Sequence, residues 1–246
     1  MRGLRTLTVV QAKLFLREPL AFFFTLAFPV LLLLLFGAMF GSEPIPGTPF
    51  RAIDAMVPAF MGMVIATVAL KGIPIATATA RETGVLRRYR ATPMRPAVYL
   101  VADVAVNLAM ALLGMLLMVA VGELVFGLRL RGSWPSVLAG VTLSALACFA
   151  AGYLLAGLSP TARIAQAVGT VLFFPNLFLS GATVPLDQMP GNVQVLSRLV
   201  PLRYVVEVLQ GLWFGEPWTR HTGALMVLAG LLVLGVFAST RTFRWG

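Results

Sequence analysis

RETGVLRRYRATPM, residues 81–94, lies between two long apolar runs and decides how this chain is read. Four arginines, Arg81, Arg87, Arg88 and Arg90, fall within ten residues of a sequence that is otherwise mostly hydrocarbon. Two apolar helices joined by a basic, helix-competent linker place that linker on the cytoplasmic face. A linker so ordered and so charged is a docking surface for a soluble partner. The stretch therefore points to a membrane machine whose motor is on another chain.

Composition agrees. Only 11% of residues are charged and 59% are hydrophobic, and the mean hydropathy is +0.91. Soluble domains carry about 25% charged residues, so the chain belongs in a bilayer. The net charge of +10 clusters beside apolar spans, as the positive-inside rule requires, and does not call for nucleic acid. The single cysteine, Cys148, excludes intrachain disulfides and cysteine-based metal sites. The apolar stretch 19–42 is too long for a signal-peptide core and reads as a retained span.

A spanning helix needs about 20 predominantly apolar residues. Six regions qualify: 20–41, 54–79, 98–122, 135–158, 163–184 and 222–241. With the N-terminus inside, Arg2, Arg5, Lys13, Arg17, Arg81, Arg87, Arg88, Arg90, Arg95, Arg163, Arg241 and Arg244 are cytoplasmic. Arg51, Arg129, Arg131, Arg198, Arg203 and Arg220 are outside. This twelve-to-six bias orients the chain with both termini in the cytoplasm. Residues 1–19 carry a basic arc (Arg2, Arg5, Lys13, Arg17) opposite an apolar one (Leu4, Leu7, Val10, Leu14, Phe15), the pattern of an interfacial helix. Residues 185–221 hold four prolines, yet between them run apolar segments too short to span. Such segments suit re-entrant helices on the outer face.

Little in the sequence can do covalent chemistry. Neither lysine, Lys13 or Lys71, follows a glycine, so a Walker A loop is missing and the chain lacks the usual means to hydrolyse ATP. One histidine, His221, and one cysteine leave almost no material for zinc or triad catalysis. The chain reads as a non-enzyme with no cofactor of its own. Lys71 is the exception to an apolar second span. Either it lines a path or subunit interface, with Asp103 as its candidate partner, or it snorkels to the inner headgroups; the sequence leaves both open. Pro175-Asn176 interrupts the fifth span, and Gly37 and Gly41 form a GxxxG pair in the first.

This order of features resembles the permease subunits of ATP-binding-cassette exporters of the type-2 family, most closely the drug-resistance and lipo-oligosaccharide export branch. Two stretches carry the likeness. RETGVLRRYRATPMRPAVYL is similar to the family's E-x-G-x-L-x-R-L-x-x-T-P pattern, with Glu82, Gly84, Leu86, Arg88, Thr92 and Pro93 in matching places and Tyr89 where leucine is common. LSGATVPLDQMPGNVQVLSRLVPLRYVVEVLQGL resembles the family's segment before the last span. The resemblance implies an all-α, six-span membrane domain over 1–246. Residues 1–19 would be its connecting helix, 81–97 its coupling segment and 185–215 its outer re-entrant segment. Arg81, Glu82, Gly84, Leu86, Arg87, Arg88, Arg90, Thr92 and Pro93 would then couple to a separate ATPase that holds ATP and Mg. A second permease copy, paired through spans one and five, would complete an exporter of drug-like, lipid or amphipathic substrates in the bacterial inner membrane. Lys71, Asp103, Pro175 and Asn176 are the pathway or interface positions. An ion-gradient-driven transporter and a non-transporting assembly protein are the alternatives. The first would show inverted repeats and midplane carboxylates.

Overall fold

The computed structural model describes residues 22–45, 48–90, 96–183 and 186–242. The expected N-terminal amphipathic helix, the positions Thr92 and Pro93, and the side chain of Arg90 lie outside the described residues.

Those residues form helices and no strand; their one β-bridge, Pro44 to Arg51, closes the first loop on itself. Helix α1 (Phe28–Phe40) follows a single π-turn, Phe23–Ala27. Helix α2 (Ala52–Glu82) is 31 residues long and contains a π-turn at Val68–Gly72. A short α3 (Val85–Arg90) precedes α4 (Pro96–Phe126), α5 (Trp134–Leu158) and α6 (Ala162–Leu179). Two short helices, α7 (Gly191–Ser197) and α8 (Pro201–Trp213), lead through a 3-10 turn to α9 (Thr222–Thr242).

Five helices among the described residues are long and apolar enough to cross a membrane: α2, α4, α5, α6 and α9. The first apolar helix, described from Thr25 to Phe40, is shorter than that. The expected fifth span is present as α6, but it ends at Leu179 and not at residue 184, because Ser180 and Gly181 turn the chain. Nor does Pro175 break α6, which runs through it without interruption. Proline removes one backbone donor, and the next residue, Asn176, donates its side-chain amide to the Leu172 carbonyl at 2.9 Å.

Helix α2 is the axis of the bundle. Its most apolar window is 78% buried, against 22% for α6 and 17% for α9, whose outer faces expose Val171, Phe178, Val233 and Phe237. In a bilayer those faces meet lipid or another subunit, so their exposure costs nothing there. Helix α8 measures about 20 Å at 1.5 Å per residue and cannot span. Its apolar face is nonetheless core, with Val205, Val208, Leu209 and Trp213 buried. Gly62 of α2 and Gly140 of α5 supply the room: a Cβ at Gly140 would lie 2.6 Å from Leu212. Gln210 donates to the Ala55 carbonyl and fixes α8 antiparallel to the first half of α2.

Gly37 is spent inside the chain. A Cβ there would come within 2.7 Å of Phe126 and 2.8 Å of Ile53. Gly37, the first glycine of the GxxxG pair, therefore seats α4 and α2 against α1 and faces the bundle core, not a second copy.

Candidate functional site: a basic end and a mid-depth cation

The RETGVLRR stretch is built in two halves with different partners. Thr83 ends α2 by donating through its backbone and its hydroxyl to Thr79. Gly84 follows at φ +72°, a left-handed conformation that glycine adopts without a Cβ penalty. Nothing lies within 4 Å of a Cβ at Gly84, so the residue is required for its backbone angle and not for space. The reversal swings α3 over the end of α4. Leu86 is fully buried there against Tyr99 and Ala102, with Ala80 and Leu100 beside them. Anchored by Leu86, α3 leaves Arg87 and Arg88 exposed.

Arg81 and Glu82 turn the other way. Arg81 donates to the Ser159 carbonyl at 2.8 Å and the Ala156 carbonyl at 3.0 Å, at the C-terminus of α5. Glu82 accepts from the Ala162 amide at 3.2 Å, at the N-terminus of α6. Each charge sits at the helix end whose dipole it opposes, and each satisfies backbone groups that the helix leaves unpaired. These two residues of the expected coupling set thus lock α2 to the α5–α6 corner. Arg87 and Arg88 alone of the described side chains in that set present free charge.

Halfway along α2 the π-turn carries Lys71. The turn is gripped from both sides. A Cβ at Gly152 of α5 would lie 2.3 Å from the Ala69 carbonyl oxygen, and one at Gly169 of α6 would lie 2.2 Å from that of Leu70. Only glycine allows such approach. The Lys71 ammonium lies 4.9 Å from the centroid of the Phe173 ring and 5.9 Å from that of Phe174. The expected partner, Asp103, is elsewhere: it accepts a short hydrogen bond from the Tyr153 hydroxyl, which joins α4 to α5. Asn107, one turn along, donates to the Asp103 carbonyl at 3.0 Å. A lysine at mid-span costs about 2.5–3.5 kcal/mol on insertion scales, and a ring face offsets about 0.5–2 kcal/mol. Lys71 is left with a deficit.

Asn176 joins a second mid-depth feature. Its Oδ1 accepts from the Leu202 amide at 3.4 Å, at the start of α8. A cavity of about 40 Å³ opens beside this contact, bounded by Leu70, Cys148, Asn176, Pro201 and Leu202. The π-turn of α2, Asn176 of α6 and the start of α8 meet at this cavity.

The opposite end of the bundle holds a residue that the sequence reading passed over. Asp54 is fully buried, accepts from the Arg51 amide at 3.0 Å and the Arg129 amide at 2.8 Å, and faces the Arg51 guanidinium at 3.6 Å. Arg51 also donates to the Gly127 carbonyl at 2.6 Å. The R-x-x-D spacing was the available signal, since it places an acid in the first turn of a helix. Arg220 is paired too, with Glu216 at 2.8 Å. Part of the basic charge that weakened the topology count is therefore compensated locally.

Five long apolar helices, one of them the buried axis, define a multi-pass membrane protein. The ABC-2 type transporter family matches residues 2–214, and the chain belongs to that family. It is similar to "Nodulation protein J" of Rhizobium meliloti (strain 1021), with 32% identity over 117 residues, 45% of this chain and 44% of that protein. It is also similar to "Probable multidrug ABC transporter permease YbhS" of Escherichia coli (strain K12), 27% identical over 135 residues, 54% of this chain and 34% of the relative. "Putative transport permease ycf38" of Cyanophora paradoxa is 45% identical over 65 residues, 26% and 22% of the two chains. The match spans less than half the length of each of these curated relatives. That family is one of membrane transport subunits, which generally lack an ATPase site of their own.

Proposed function

We propose that this chain is the permease half of an ATP-driven exporter. A separate ATPase docks on α3 and its ATP-dependent closure moves α2 and α4. The observation that carries this reading is the division of labour in one motif: Leu86 is buried in the bundle while its neighbours Arg87 and Arg88 project outward. A push on α3 is delivered to α4 through Leu86, Tyr99 and Ala102. It reaches the α5–α6 corner through Arg81 and Glu82. Such an arrangement suits rigid-body switching between two packings.

The rest of the expected architecture belongs to the same proposal. The α3 face is cytoplasmic, the first apolar helix is the sixth span, α7 and α8 re-enter from the outer side, and a second permease copy completes the path. ATP and Mg are held by the partner alone. The substrate is an amphiphile, consistent with the apolar faces of α6 and α9.

The test is co-purification. Arg87→Glu/Arg88→Glu is expected to leave membrane levels of the permease unchanged while the ATPase subunit is lost and transport stops. Retention of both ATPase and transport refutes docking at α3. Leu86→Ala is the structural control, loosening the buried contact of α3 with Tyr99 and Ala102 without altering the exposed charges.

A further inference from the structure

We propose that Lys71, set against Phe173 and Phe174 where α6 packs on α2, selects an acidic headgroup, so that the amphiphile this chain carries is anionic. The inference rests on the transport reading above and adds the charge of the substrate.

Depth is the first argument. Lys71 lies eleven residues before Glu82, and Phe173 lies eleven residues after Ala162, the residue to which Glu82 is bonded. At 1.5 Å per residue both positions are about 16 Å from that end. The lysine thus reaches sideways to a ring at its own level, and its ammonium does not climb to the headgroups. Snorkelling, the bland reading of a span lysine, would have placed it nearer Arg81.

The second argument is the lack of a counter-ion. Among the described residues no carboxylate lies within 4 Å of Lys71, and the ion pairs present involve other groups. Asp103, the nearest expected acid in sequence terms, is taken by Tyr153. Ionisable groups inside a membrane pair, line a wet path or meet a ligand. Two ring faces supply only part of what a desolvated ammonium requires.

The third is that the position is built. Gly152 and Gly169 admit the carbonyls of Ala69 and Leu70 to distances that a methyl group would forbid. π-turns inside helices concentrate at functional sites. Phe173 is buried, whereas Phe174 is 48% exposed. An acyl chain can therefore lie along exposed α6 residues such as Phe174, Val171 and Phe178 while its headgroup meets the ammonium.

The experiment uses the full chain in lipid nanodiscs and three probes that share a dansyl-labelled undecyl chain but end in a sulfonate, a neutral amide or a trimethylammonium group. Binding is read by energy transfer from tryptophan, with empty discs subtracted. Wild type is expected to bind the sulfonate at least about tenfold more tightly than the amide, the scale of one charged hydrogen bond. Lys71→Arg keeps that preference. Lys71→Met abolishes it and leaves amide binding unchanged. Equal affinity of wild type for sulfonate and amide, or a preference that survives in Lys71→Met, overturns the proposal. Discs of phosphatidylcholine and of phosphatidylglycerol separate the sources of the anion. A preference seen in both identifies a guest amphiphile, and one seen only in phosphatidylcholine identifies anionic lipid as the occupant. Because binding needs no ATPase, its failure leaves the Arg87/Arg88 experiment to judge the transport reading independently.

Discussion

Gly169→Ala should disturb the bundle where the π-turn of α2 is gripped. The added methyl would lie 2.2 Å from the Leu70 carbonyl oxygen. Carbon–oxygen contacts of this kind settle at about 3.3 Å or more, so α6 must retreat from α2 by about 1.1 Å. The obstacle is backbone and no rotamer relieves it, which puts the cost near the upper end of the usual overpacking range, about 3 kcal/mol. Alanine returns about 1 kcal/mol of helix propensity, leaving a net loss of about 2 kcal/mol. For a chain of this size that corresponds to a fall in Tm of about 4–8 °C. Gly230→Ala in α9 is the matched control, because nothing lies within 4 Å of its Cβ; it should melt at or slightly above wild type. Tryptophan fluorescence of detergent-solubilised protein measures both. Phe173 stands one turn beyond Gly169, so the same retreat should weaken sulfonate binding. If Gly169→Ala melts as high as Gly230→Ala, the grip on the π-turn is not the close contact described.

Asp54→Ala removes a buried acceptor of two amides and leaves Arg51 without its acid. A loss of about 3 kcal/mol should appear as a Tm lower by about 6–12 °C, and an unchanged Tm would contradict the clamp. Tyr153→Phe strands the Asp103 carboxyl and should cost about 1–3 kcal/mol. Tyr153→Phe with Asp103→Leu should recover most of that, so an additive double variant argues against a direct pair. Arg88→Cys in a Cys148→Ser background should react with an impermeant maleimide only after the membrane is opened; labelling of intact cells from outside would invert the topology.

Much of this protein was legible one residue at a time. Hydropathy over windows of 20 residues locates α2, α4, α5 and α9 to within a few residues, because crossing a bilayer imposes a length and a composition on each helix separately. The arginine-rich motif marks its own turn: Gly84 takes the positive φ, and the apolar Leu86 beside charged neighbours foretells one buried and one exposed face. Proline spacing likewise announced α7 and α8 as helices too short to span. Pairings between helices were not legible. Nothing local distinguishes Asp103 bonded to Tyr153 from Asp103 bonded to Lys71, since the choice depends on which faces of α2, α4 and α5 meet. Arg81 and Glu82 read as part of one free charged run, and only the approach of the α5–α6 corner gave them backbone partners. Arg51 counted against the topology until Asp54 and the Gly127 carbonyl were found around it. Pro175 looked like a break because its missing amide is a local fact, whereas α6 continues through it and the bonds of Asn176 reach both along α6 and across to Leu202. Spans and signs of charge are properties of the chain alone, but the partner of each charge is fixed only when the helices pack.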